Sequence, residues 1–268
     1  MRKSLRQATV AAVARHYSAN WEAGDGSPDA WLTLAGKRIA VDVATIRKII
    51  GSGTATKPRL RFDGVALGLV ARLQSALRDS APECRTVIVT VTAPIRQDTK
   101  TTAALEQIIW TALAGGPPRA DIRELIHGNQ IRVRVVKTGS TLAPKLVGFV
   151  HNPDPGADLI LLDGAEALLK CMMAETGRRA AAEYSSDSWL VIATEDTFPP
   201  IATWRQICLQ LPVPTGFGSV LMVAEGRVEE LDKPVRDDGA DRAGAGLRRR
   251  SRPARVKERQ QRKKRKVE

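Results

Sequence analysis

Two carboxylates pose the first chemical question in this sequence. Asp29 follows Pro28, and Asp42 opens the stretch Asp42-Val43-Ala44. Carboxylates brought side by side can hold Mg²⁺, which activates water and offsets charge developing on a phosphoryl group. Such chemistry also wants a side-chain cation near the attacking water, and Lys37, Lys48 and Lys57 are the nearby candidates. A second set suits a small anionic substrate. Arg96 and Lys100 follow the apolar run 86–92, and Glu195 and Asp196 follow the apolar run 188–194. At the carboxyl ends of strands the bases could grip an anion and the acids could hold a metal or exchange a proton. Helix capping by Asp98, and by Asp196 or Thr197, accounts for the same acids without chemistry. His151, Asp154 and Asp158 form a third ligand set, although Pro153, Pro155 and Gly156 read as a surface turn. His16 and His127 are isolated in sequence. The Gly-rich stretch 51–57 fails as a phosphate-binding loop, because Lys57 lacks a preceding Gly and is followed by Pro58.

These residues need elements to hold them. Apolar residues at Leu5, Ala8, Ala12, Val13 and Tyr17 recur at helical steps, predicting a helix over 4–21. Residues 31–35 and 38–46 are β-rich runs about the Gly36-Lys37 turn, which predicts a hairpin. Alternation in its second strand places Asp42 on one face with Ala40 and Ala44, and Ile39, Val41 and Val43 on the other. A helix over 63–78 follows, then a strand at 86–92 whose unbroken β-branched run suits burial on both faces. Asp98 or Thr99 caps the next helix, which Gly115-Gly116-Pro117-Pro118 ends. Downstream the pattern predicts a short helix at 121–126 and strands at 130–136 and 145–150. Residues 159–162 read as a short strand or a helix start, and 165–175 as a helix; strand 188–194, helix 200–211 and strand 219–224 complete the order. Alternating strands and helices imply an α/β fold, with a mixed, partly parallel sheet flanked by helices and a β-hairpin near the amino end.

The order of elements over residues 4–93, with Pro28-Asp29 before one strand and Asp42-Val43-Ala44 in the next, resembles the restriction-endonuclease-like family and its PD…(D/E)-x-K motif. The resemblance implies Asp29 and Asp42 as catalytic carboxylates and Mg²⁺ ligands. It also exposes a departure: Ala44 stands where that motif has lysine. The implied domain is therefore an active or a decayed Mg²⁺-dependent nuclease.

Charge points to a partner of the same class. The 268 residues carry 42 Lys and Arg against 29 Asp and Glu, net +13. Residues 1–232 hold only +3 of that, whereas 247–268 hold +10, with 12 bases and no aromatic residue. The hydrophobic pattern stops before Lys233. The sequence thus divides into an α/β domain over 1–232, a polar linker over 233–246 and a disordered basic tail over 247–268. Arg248, Arg249, Arg250, Arg252, Arg262, Lys263, Lys264, Arg265 and Lys266 are the expected contacts to a DNA or RNA backbone, sequence-independent because no ring is there to stack on bases. Arg249-Arg250 followed by Arg262-Lys263-Lys264-Arg265 also resembles a bipartite nuclear localisation signal. The alternative is a non-catalytic interaction or regulatory module with a localisation tail, or an enzyme of the small-anion kind above. Cys84, Cys171 and Cys208 are widely spaced with no C-x-x-C, which argues against a disulfide scaffold or zinc module and for a reducing cytoplasm. No apolar run is long enough to cross a membrane. The basic amino end reads as an ordinary first helix rather than a leader.

Overall fold

In a computed structural model of the chain, residues 2–46, 61, 63–78, 81–115, 121–139, 141, 143–153, 156–181, 187–194, 199–211 and 216–231 are described. They belong to one compact unit, Met1–Pro234. The segment Val235–Glu268, with every tail residue named above, lies outside the described residues.

α1 (Arg2–His16) ends earlier than its periodicity implies. Ser18 takes a left-handed conformation, φ 52°, so the Ala19 amide reaches back to the Ala14 carbonyl (2.8 Å) and the Ser18 amide to that of Arg15 (3.3 Å). This is a Schellman stop, and it frees the chain to form β1 (Asn20–Ala23), where the sequence had suggested continued helix. β2 (Ala30–Leu34) and β3 (Lys37–Ile46) form the expected hairpin, and β1 extends it. Asp63 caps α2 (Gly64–Leu77) by accepting the Val65 and Ala66 amides, both at 3.1 Å.

β4 (Arg85–Thr92), α3 (Asp98–Gly115), β5 (Asp121–Ile126), β6 (Asn129–Lys137) and β7 (Leu146–His151) follow. Residues 121–126 are a strand and not the expected short helix. His127 and Gly128 both have positive φ, 48° and 80°, the backbone of a tight hairpin turn, and this sets Ile126 opposite Asn129. Ile122 and Ile126 alternate onto the apolar face while Asp121, Arg123 and Leu125 take the other.

Then come α4 (Ala157–Ala181), β8 (Ser188–Thr194), α5 (Ile201–Leu209), β9 (Ser219–Ala224) and β10 (Arg227–Glu230). The stretches 159–162 and 165–175 lie within one helix, α4.

The strands make two mixed sheets where one was expected. The first runs β1-β2-β3-β8-β9-β10, with β3, β8 and β9 parallel; the second runs β5-β6-β4-β7, with β4 and β7 parallel. Five layers result. Val10, Val13 and Ala14 of α1 cover the Ile39, Val41 and Val43 face of the first sheet. Its other face, through Ala44, Ile46, Leu190 and Ile192, meets Leu161, Leu162, Ala165 and Leu168 of α4 and Trp204 of α5. The same cluster includes Ile88, Val136, Val147 and Phe149 of the second sheet. Leu69 and Leu73 of α2, with Leu105 and Ile109 of α3, close the far side against Val87, Val89 and Val91. α4 is thus apolar on two sides because it separates two sheets, which hides the one-sided stripe of a surface helix.

Candidate functional site

Asp29 sits in the bend before β2, where β2 stops pairing and β3 continues. Its Oδ2 accepts the Val43 amide at 2.7 Å, replacing a ladder bond at the end of β2, and its Oδ1 takes the Arg6 guanidinium of α1. The Asp29 side chain is 10% exposed. Asp42 is 2% exposed and alternates with Ala44 and Ile46 toward α4, whereas Arg6 belongs to the helix on the opposite face. The Ala30↔Val41 register leads on to Asp29 opposite Asp42, but the Asp29 carboxylate is already taken by the Val43 amide and the Arg6 guanidinium, so a cation at Asp29 would lie against Arg6. Ala44 is buried in the core beneath α4. Lys37 is ion-paired with Asp187 at the hairpin end of β3, about 17 Å of extended strand from Asp42 at 3.4 Å per residue. Lys48 and Lys57, with the 51–57 loop, lie outside the described residues. β3 lies between β2 and β8, and β4, which closes the run 4–93, lies in the second sheet.

Arg96 and Lys100 are exposed, and Glu195 and Asp196 lie outside the described residues. What holds the loop after β4 is Asn129. Its Oδ1 accepts the Arg96 amide at 2.7 Å, and its Nδ2 donates to the carbonyls of Arg96 and Ile126, both at 2.9 Å. This buried amide ties the loop to the β5–β6 turn. Asp98 is the first residue of α3, and its carboxylate accepts Arg72 at 3.2 Å. His127 forms the β5–β6 turn, and His16 stacks edge-on against Tyr17 at 4.8 Å.

His151 and Asp158 both line a cleft of about 220 Å³ beside the start of α4. Asp154 lies outside the described residues. Next to the cleft is an ionic network that the sequence reading missed. Arg132 donates to Asp121 through Nε (2.7 Å) and Nη2 (2.9 Å), and to Asp158 through Nη1 (3.2 Å). Arg134, buried at 3% exposure, donates to Asp121 (2.9 Å), Asp163 (2.5 Å) and Glu166 (3.2 Å). Lys170 also donates to Glu166, at 2.6 Å. Burial pushes the Asp121 carboxyl up, but hydrogen bonds from Arg132 and Arg134 outweigh it and hold it below its ordinary value. Burial likewise works against charge on both guanidiniums, and their carboxylate partners overcome it. The available signal was the pattern Arg132-Val133-Arg134-Val135, a strand with one charged face beneath a covering element.

By contrast, the Cys171 thiol is pushed up to about 12 by burial, despite Arg178 nearby, so it is a poor nucleophile. No group of three or more metal-ligating side chains occurs among the described residues, and none of their helices is long and apolar enough to cross a membrane. No family model, curated protein or solved structure matches the chain.

Proposed function

We propose that this protein binds nucleic acid through the backbone-directed charge of 247–268, and that its first sheet is a nuclease-like frame that no longer cleaves. The observation carrying the binding is the placement of charge: +10 within 22 residues beside a domain of only +3. Dense guanidinium and ammonium groups bind polyphosphate chiefly by releasing condensed counterions, so affinity should fall steeply with salt and depend little on sequence. Loss of cleavage is supported by two features: the Arg6 guanidinium on Asp29, and Ala44 at the position of the motif lysine.

The test is a titration of labelled duplex DNA and of RNA across a series of salt concentrations. It compares the full chain with a variant carrying Gln at the nine tail positions named above. The wild-type salt slope should exceed the variant's by up to about 0.9 log units for each phosphate that the variant fails to neutralise. Equal binding by the variant would take the interface away from those nine positions and sink the proposal. Incubation of supercoiled DNA with Mg²⁺ should leave it intact. Nicking that disappears in Asp42→Asn would restore the active-nuclease reading.

A further inference from the structure

β4 and β7 run parallel and end together, with Thr92 beside His151. From β4 the chain passes to α3 on one face of the second sheet, and from β7 to α4 on the other. Neighbouring parallel strands whose connections part in this way leave a crevice at their carboxyl ends, where open α/β sheets seat ligands. The cleft of about 220 Å³ occupies this place. It is smaller than the roughly 300–1,000 Å³ of sites for drug-sized molecules, so its occupant is small.

Hydrogen-bond donors dominate its walls. α4 starts at Ala157, just after Gly156, and its first-turn amides lack intrahelical acceptors and carry the positive end of the helix dipole. Arg123, on the outer strand β5, lines the cleft, is exposed, and has no ion pair among the described residues. Arg132 is braced from behind by Asp121 and from the side by Asp158. Those bonds engage three of its five N–H groups, which leaves two to donate elsewhere. Thr90 is 1% exposed and lines the cleft, and its hydroxyl has no hydrogen-bond partner among the described residues. A buried hydroxyl without a partner is costly unless something in the cleft receives its hydrogen bond. Asp158 is the acidic residue of the wall, and it is ion-paired with Arg132, which it shares with Asp121.

We infer that the cleft binds the phosphate group of a small molecule. Arg123, Arg132, Thr90 and the α4 amides supply donors from several walls at once, more than the two oxygens of a carboxylate can use and well suited to a phosphate. The site is separate from the tail and does not depend on the nucleic-acid reading.

The experiment titrates the ¹⁵N-labelled full-length protein with inorganic phosphate, glycerol phosphate and acetate at matched ionic strength, following backbone amide resonances. Phosphate should shift the Ala157 and Asp158 amides saturably. Arg123→Gln should weaken that binding about tenfold and Thr90→Val several-fold, as expected for one charge-assisted and one neutral hydrogen bond. The nine-glutamine tail variant should bind as the wild type does, so failure of the nucleic-acid proposal would leave this result untouched. Tighter binding of glycerol phosphate assigns the site to an ester, and tighter inorganic phosphate assigns it to the free ion. The inference fails if acetate binds as well as phosphate, if shifts are confined to the tail, or if the exposed Arg123→Gln and Thr90→Val both bind normally.

Discussion

Asp121 shows how a single carboxylate ties two strands together by answering two arginines. Arg132 and Arg134 alternate onto the same face of β6, and Asp121 on β5 answers both. Its carboxyl is held below the ordinary 3.8, so its stabilising contribution is complete above that value and is lost as pH falls through the lower folded-state value. The difference in melting temperature between wild type and Asp121→Asn should therefore shrink as pH drops below 3.8. A difference that stays constant with pH would mean the carboxylate adds nothing through its charge. At this scale the sequence was a partial guide. Residue type singled out Asp29 and Asp42, yet the partner that alters Asp29 is Arg6, 23 positions away on another element. Pairing of that kind leaves no local spacing to read.

Elements were more legible where an apolar run or stripe stood between clear turn signals. β3, β4 and α2 have the apolar patterns their positions demand, and each formed where the sequence placed it. β5 was misread because its apolar residues are few and its strand character depends on the turn beyond it, where Gly128 at φ 80° permits the reversal. α4 was read in pieces because both its sides are buried. Packing between elements also places tight demands on residues without side chains. A Cβ on Gly148 of β7 would meet Cγ1 of Val70 in α2 at 2.5 Å, and Cγ2 at 2.7 Å. Gly148→Ala should consequently push α2 away from the second sheet and cost about 1–3 kcal/mol through overpacking. Chemical denaturation would measure this, and an unchanged midpoint would show that α2 yields freely.

For the molecule as a whole, the change in composition near residue 232 lies close to the end of the compact unit at Pro234. Removing 235–268 should leave the cooperative thermal transition in place, because the hydrophobic pattern stops before Lys233 and the three large clusters among the described residues draw their core from residues 10–231. A broadened or lost transition would show that the tail packs on the domain. The sequence did not disclose that two sheets share the layer containing α4 and α5, since nothing in a strand's own residues names its neighbour. The pairing of β3 with β8, which sets Ala40 beside Ser188, has a consequence in time. The entire second sheet is made between those two strands. A ribosome adding about 5–20 residues per second delivers β8 roughly 7–30 s after β3. Throughout that interval the nascent hairpin presents a bare apolar edge, so the hazard of misassembly falls in the middle of synthesis, when a chaperone has most to shield.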